Sequence, residues 1–241
     1  MELSSDFQLV VQLKHKKNAL HFIVRSWNKS MKNISKIIQQ KIRSYKTSQE
    51  LIHSAEFFLS ICKINHNTTK EHNEHVALIS EAVAKKLKMD VKAAFFGGLF
   101  HDIGKITLPH TLFDGREINQ EEYNKVKTHV WNGYKVLKKF HLFTAFCAGL
   151  HHNLYEAGYG LTVKDFPSNL SPTTVKKILE ISTIISIADF IDAFTNRKTK
   201  IKNEITSKPT LQDKLYFKYP NDKLIVDTAL NWYKDKDDLK R

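Results

Sequence analysis

The sequence predicts an all-α protein, and three observations support this prediction. Glycine and proline are scarce, with 8 and 5 residues among 241, which argues against turn-rich β-sandwiches and barrels. Apolar residues recur at steps of three and four, as on the buried face of a helix. No β–α alternation or hairpin signal competes with this pattern. We therefore expect a bundle of helices.

The helices are expected in series from residue 48 onward. In the second of them, Val76, Ile79, Val83 and Leu87 mark one buried face. The expected helices cover residues 48–62, 69–88, 91–102, 119–140, 142–150 and 172–195, with one or two more within 201–241.

Capping signals place several helix boundaries. Asp90 fits an N-cap for the helix that follows it. Asn119, with Glu122 three residues later, has the pattern of a capping box. Ser171 precedes Pro172, which combines a good N-cap with proline at the first helical position.

The N-terminal segment differs in composition from the rest of the chain. Residues 1–47 carry many lysines around a few apolar positions. We therefore expect two parts: residues 1–47 as a helical appendage of unknown role, and residues 48–241 as the main domain. The appendage is a candidate surface for a homodimer.

The overall composition narrows the classes of function. The formal charge is +13, from 38 Lys and Arg against 25 Asp and Glu, but no dense basic run occurs, which disfavours groove reading of DNA. No apolar stretch reaches 18 residues, so no membrane span is predicted. The N-terminus lacks the signal-peptide pattern, and two cysteines cannot form a disulfide framework. We expect a cytoplasmic protein.

Histidines and carboxylates beside apolar sequence indicate a metal site. An unpaired charge or an unbonded imidazole is costly in such surroundings, and a divalent transition metal would compensate both. Five histidines with at least two aspartates exceed the needs of one tetrahedral zinc. The residues in question are Glu71, His75, His101, Asp102, His129, His151, His152 and Asp189.

These residues predict a centre of at least two metals among facing helices of the bundle. Two ions about 3.5–4 Å apart stabilise both the attacking and the leaving oxygen of a displacement at phosphorus. The sequence therefore indicates phosphoester hydrolysis.

The string His101-Asp102-Ile103-Gly104-Lys105, with the histidines and Asp189 around it, resembles the HD superfamily of metal-dependent phosphohydrolases. The HD-GYP branch is the more similar one, because its pattern also includes a glutamate four residues before the first histidine and a histidine pair. The similarity runs from about residue 50 to about residue 200 and includes the segment over 106–133. The resemblance implies an HD-domain helical bundle with the metal centre in its core.

The resemblance also implies two overlapping ligand sets that share Asp102 as a bridge. His75, His101, Asp102 and Asp189 would bind one metal, and Asp102, His129, His151 and His152 would bind the second. Glu71 would bind a third ion in members that have one, although it also fits a capping box with Thr68. Iron or manganese would fill the site. His72 is given no role, since it points about 100° away from Glu71 on a helix.

Further residues are expected to act on or contact the substrate. Lys105, one turn beyond the bridging and catalytic Asp102, would place a catalytic ammonium against the phosphate or the leaving oxygen. Asp192 would be an outer-shell or water-positioning group at the substrate. Tyr159, Arg197 and Lys200 would contact the substrate.

The chain departs from the branch pattern in the loop that gives the branch its name. Gly158-Tyr159-Gly160 stands where the branch has Gly-Tyr-Pro. Proline fixes φ and glycine does not, so we expect a loop of different shape or greater mobility.

The implied activity is hydrolysis of a cyclic dinucleotide, chiefly cyclic di-GMP, by a hydroxide that the metals activate. Two alternatives stay open. One is a nucleotide phosphohydrolase of the wider superfamily, and the other is a receptor or interaction module that binds a cyclic dinucleotide without turnover.

Overall fold

The computed structural model describes residues 34–196 and 209–238. The chain divides into two units, Met1–Lys41 and Ile42–Arg241, whereas the sequence placed the boundary at residue 47. Most of the predicted appendage lies outside the described residues, and so does the proposed dimer surface. Both stay predictions.

The described residues are helical and contain no strand, which confirms the all-α prediction. Residues 34–44 form α1. The other helices are α2 (Gln49–Asn65), α3 (Asn67–Lys86), α4 (Val91–Phe100), α5 (Gln120–Lys127), α6 (His129–Leu137), α7 (Leu142–Leu150), α8 (Pro172–Asn196), α9 (Leu211–Lys218) and α10 (Lys223–Asp238).

Among the described residues, none of the helices combines the length and the apolar character needed to cross a membrane.

The predicted capping residues act as caps. Asp90 accepts a hydrogen bond from the Ala93 amide (2.8 Å) at the start of α4. Asn119 and Glu122 form a reciprocal capping box at the start of α5. These side chains satisfy amide groups that have no partner within the helix.

The single helix expected over 119–140 is two helices. Thr128 separates α5 from α6, and both its amide and its hydroxyl donate to the Lys125 carbonyl, at 3.0 and 2.7 Å. Such bonding to the carbonyl three residues back tightens the last turn of a helix. The break lies directly before His129, which becomes the first residue of α6.

The apolar core packs α3, α8 and α10 together. Val76 and Val83 of α3, Ile184 and Ile187 of α8, and Val226 of α10 are all at most 1% exposed. The C-terminal ends of α4 and α7 lie close together, since the rings of His101 and His151, which directly follow these helices, have centroids 4.9 Å apart.

A close backbone contact holds the turn after Asp102 against α6. The 3-10 turn Ile103–Thr107 begins there, and a Cβ added at Gly104 would lie 1.9 Å from the His129 carbonyl oxygen. Only glycine permits this approach. The turn therefore brings His129 beside Asp102.

Candidate metal centre

Seven side chains converge in the interior of the bundle, three from helices α3, α6 and α8 and four from the residues that directly follow α4 and α7. Among the described residues, three overlapping groups of three have ligand atoms within 4.8 Å of one another. The groups are His72, His101 and Asp189; His101, Asp102 and His151; and His129, His151 and His152.

Asp102 lies at the middle of the cluster and is 1% exposed. Its Oδ2 lies 3.4 Å from His101 Nε2 and 3.6 Å from His72 Nε2. Its Oδ1 lies 3.1 Å from His129 Nε2 and 3.8 Å from His151 Nε2. The two oxygens therefore face opposite halves of the cluster, as a bridging carboxylate would.

Three of the histidines are fixed in the tautomer that ligates through Nε2. The Nδ1–H groups of His101, His129 and His151 donate to the carbonyls of Gly98, Val126 and Ala148, at 2.8, 2.7 and 2.9 Å. A carbonyl can only accept, so each Nδ1 carries a proton and Nε2 is the nitrogen that faces the cluster. Outer-shell bonds of this kind orient histidine ligands in metal sites.

His72, and not His75, lies in the cluster. His72 Nε2 is 3.0 Å from Asp189 Oδ1 and 3.2 Å from His101 Nε2. His75 is more exposed, at 23% against 9% for the His72 side chain, and its Nδ1 bonds Asp192 at 2.8 Å. The ligand role predicted for His75 stays a prediction, but in this geometry His72, for which no role is expected from the sequence, lies where that ligand was expected.

The helix phase of α3 explains why His72, rather than His75, faces the cluster. At about 100° per residue, His72 lies within about 40° of Val76, Ile79 and Val83 around the helix axis. His75 lies about 40° from Ile79 but about 100° from Val76 and about 80° from Val83. The apolar stripe therefore indicates that His72 faces the core. The angle between His72 and Glu71, on which the expectation from sequence rests, does not take this stripe into account.

Asp192 holds the outer side of His72. Its carboxylate accepts from His72 Nδ1 (2.7 Å), His75 Nδ1 (2.8 Å) and Asn196 Nδ2 (2.5 Å), and the residue is 5% exposed. The predicted substrate contact for Asp192 stays a prediction, and its three bonds are all to side chains of the chain itself. The outer-shell alternative fits.

Glu71 lies outside the three ligand groups found among the described residues. It accepts a hydrogen bond from Asn67 Nδ2 at 2.7 Å. The capping-box alternative with Thr68 is wrong, because α3 begins at Asn67 with His66 in the N-cap position.

Charge around the centre favours ionised aspartates. Burial opposes ionisation of Asp102, but Lys105 and His101 outweigh it and hold the pKa of Asp102 well below its usual range. The Lys105 ammonium donates directly to Asp102 Oδ2 and is 7% exposed. Burial likewise opposes ionisation of Asp189, but the hydrogen bond from His72 keeps its pKa well below the usual range.

The histidine pKa values differ across the cluster. Burial lowers the pKa of His152 to about 3 and that of His151 well below its usual range, so both are neutral and able to ligate. For His72, burial is outweighed by hydrogen bonds to Asp189 and Asp192, and the pKa rises to about 9. Ligation by His72 therefore requires loss of a proton.

The donor set fits divalent metal ions. Asp102 Oδ1 is buried and accepts no hydrogen bond within the described part of the chain, although His129 Nε2 lies 3.1 Å away. His129 Nε2 and His151 Nε2 also face each other at 3.4 Å. A cation bound among these nitrogens and the buried carboxylate oxygen would satisfy all of them, and imidazole with carboxylate suits iron, manganese or zinc.

Tyr159 packs at the edge of the cluster. Its ring stacks on His152 with centroids 4.8 Å apart, and the Lys127 ammonium lies 5.8 Å from the Tyr159 centroid. The Tyr159 amide donates to the His152 carbonyl at 2.9 Å. The predicted substrate contact for Tyr159 stays a prediction. Arg197 and Lys200 lie outside the described residues.

The loop that carries Tyr159 has a shape that proline could not adopt. Gly160 has φ +121°, and a Cβ there would lie 2.3 Å from the Gly149 carbonyl oxygen. Proline requires φ near −65°. Glycine therefore permits a different loop from that of the Gly-Tyr-Pro pattern.

Comparison with known families identifies the fold. The HD domain model matches residues 69–194, which is more than half of the chain and includes the complete ligand cluster. The chain belongs to the HD domain family.

One relative of this chain is named as a phosphodiesterase. The chain is 28% identical over 156 residues to the 3′3′-cGAMP-specific phosphodiesterase 1 of Vibrio cholerae, a match over 62% of this chain and 34% of that protein. The chain thus spans about a third of that relative's length.

Two solved structures are also similar to this chain. The HD domain of L. monocytogenes phosphodiesterase PgpH aligns with a TM-score of 0.49 and 20% identity over 74% of this chain and 97% of that one. Its complex with cyclic di-AMP gives 0.49 and 19% over 80% and 99%.

Proposed function

We propose that this chain is a metal-dependent phosphodiesterase of HD-GYP type that hydrolyses a cyclic dinucleotide. The observation that carries the proposal is the position of Asp102, whose two oxygens face His72 and His101 on one side and His129 and His151 on the other. A carboxylate shared between two ligand sets is the arrangement that a two-metal phosphoesterase requires.

The ligand sets in this proposal are revised from the sequence. His72, His101, Asp102 and Asp189 bind one ion, and Asp102, His129, His151 and His152 bind the other. We propose iron or manganese, since both accept imidazole and carboxylate. When bound, such ions supply Lewis acidity and lower the pKa of water.

The protein's own residues have three tasks in this reaction. The Gly98, Val126 and Ala148 carbonyls hold imidazoles in their ligating tautomer. Asp192 orients His72 through its Nδ1. Lys105, the buried cation beside Asp102, would place positive charge against the phosphate oxygens as charge develops in the transition state.

Two lines support a cyclic dinucleotide as the substrate. The sequence resembles the branch that acts on cyclic di-GMP, and the curated relative described above is named for 3′3′-cGAMP. The nucleotide phosphohydrolase and the non-catalytic receptor remain the competing functions.

A substrate panel separates these functions. Metal-loaded protein would be incubated with cyclic di-GMP, 3′3′-cGAMP, nucleoside triphosphates and a nitrophenyl phosphodiester, with Asp102→Asn as the inactive control. We expect turnover of a cyclic dinucleotide that the control lacks. Turnover of the triphosphates alone would favour the phosphohydrolase, and binding without turnover would favour the receptor.

A further inference from the structure

A cavity of about 420 Å³ lies beside the metal centre and has no role in the function proposed so far. It is formed by the loop that follows His152 and by the junction of α9 and α10. Tyr155 lies between the cavity and the centre, because it lines the cavity and its hydroxyl is 3.1 Å from His152 Nδ1. A ligand in the cavity would therefore be one side chain away from the metal ligands.

Lys218 supplies a cation to this cavity. Its ammonium lies 3.6 Å from the Tyr155 ring centroid and 4.8 Å from the Phe190 centroid, and burial lowers its pKa while Asp189 opposes this effect. Among the described residues no carboxylate forms an ion pair with Lys218, whereas Lys105 is paired with Asp102. Lys218 is thus fixed by aromatic rings and open to an external anion.

Asp222 supplies an acceptor to the same cavity. Burial raises the pKa of its carboxyl group, and within the described part of the chain its carboxylate has no hydrogen-bond or ion-pair partner. A half-buried carboxylate of this kind gains most from a ligand that offers two adjacent N–H donors. Guanine offers such a pair at N1–H and the exocyclic amino group, whereas adenine presents an acceptor at N1.

Phe217 adds an aromatic surface at the cavity. It lines the cavity with a residue exposure of 87%. A nucleotide base can stack on an exposed aromatic ring of this kind. A cation, a carboxylate acceptor and an aromatic face complement the phosphate, the base edge and the base face of a guanine nucleotide.

We propose that this cavity is a guanine-nucleotide subsite, in which Lys218 binds a phosphate and Asp222 reads the base. It rests on the proposed function, since a nucleotide held there would be one side chain, Tyr155, away from the proposed metal ligand His152. It goes beyond that function because it assigns base selectivity to residues outside the metal centre.

The test measures binding rather than turnover. GMP and AMP would be titrated calorimetrically into metal-loaded full-length protein. We expect GMP to bind at least about tenfold more tightly than AMP, as expected for a bidentate contact to one base. Asp222→Asn should remove this preference and leave AMP affinity unchanged, and Lys218→Gln should weaken both nucleotides by a similar factor.

Lys214→Gln is the matched control. Lys214 also lies on α9 and over an aromatic ring, 5.2 Å from the Phe194 centroid, but it is not part of the cavity lining. This variant should bind both nucleotides as the wild type does. Equal wild-type affinities for GMP and AMP, or a preference that survives in Asp222→Asn, would overturn the subsite.

Hydrolysis of the nitrophenyl phosphodiester separates this proposal from the function it rests on. If no phosphodiester is cleaved but Asp222 still determines GMP selection, the catalytic proposal fails and the subsite stands. If cyclic dinucleotides are cleaved with the same KM by wild type, Asp222→Asn and Lys218→Gln, the subsite fails and the catalytic proposal stands.

Discussion

Replacing His72 or His75 by alanine distinguishes the structural assignment from the one made from sequence. The two residues are three positions apart on α3, and both Nδ1 atoms bond Asp192. Only His72 also reaches the cluster, where its Nε2 lies 3.0 Å from Asp189 Oδ1. The pair therefore differs mainly in whether a direct ligand is lost.

The expected loss of metal affinity in each variant follows from this difference. Loss of an outer-shell partner costs about 10–100-fold in metal affinity, so loss of a ligand atom should cost more than about 100-fold for the ion on the Asp189 side. His75 is one step further out, and Asp192 keeps its bonds to His72 and Asn196 without it. His75→Ala should therefore cost less than about tenfold.

The assay is titration of metal-free protein with manganese against a competing chelator. Thermal unfolding of each metal-free variant controls for damage to the fold, since His72 is buried. His72→Ala should lose about one equivalent of tightly bound metal, and His75→Ala should retain it. The reverse result would refute the geometric assignment and restore the one made from sequence.

Three further predictions follow from the structure. Asp192→Asn should weaken metal binding by about 10–100-fold in the same chelator competition, and an unchanged affinity would contradict its outer-shell role. Gly160→Ala should lower the free energy of unfolding by more than Gly115→Ala in urea titrations: both positions have positive φ, but a Cβ meets the Gly149 oxygen only at Gly160. Cys62 and Cys147 should not react with a thiol reagent at pH 8 until the protein unfolds, because burial raises both pKa values to about 12 and leaves about one thiolate in 10⁴; rapid labelling of the native protein would refute this.

Much of the fold could be predicted from local signals. The N-caps at Asp90 and Asn119 are short-range hydrogen bonds, and they place the starts of their helices correctly. The break at Thr128 was missed, because a threonine within a helical pattern does not by itself show that its hydroxyl bonds a backbone carbonyl.

The residue types of the candidate site could be predicted from the sequence. Which histidine of α3 faces the site could not be predicted as well. His101, Asp102 and His129 could be placed from the motif, while the choice between His72 and His75 depended on the rotation of α3 against the core. Asp222 and Lys218 were not identified, because the cavity that joins them to Tyr155 forms only when α9 packs beside the loop after His152. No sequence pattern marks such a contact.

Metal content measured together with metal position tests the central claim most directly. Protein loaded anaerobically with iron or manganese would be assayed by elemental analysis, and the ions would be located by anomalous diffraction. We expect at least two equivalents per chain, with one ion on each side of Asp102 in wild type and a loss of both in Asp102→Ala. Less than one equivalent in wild type, or ions bound away from Asp102, would contradict the two-metal centre.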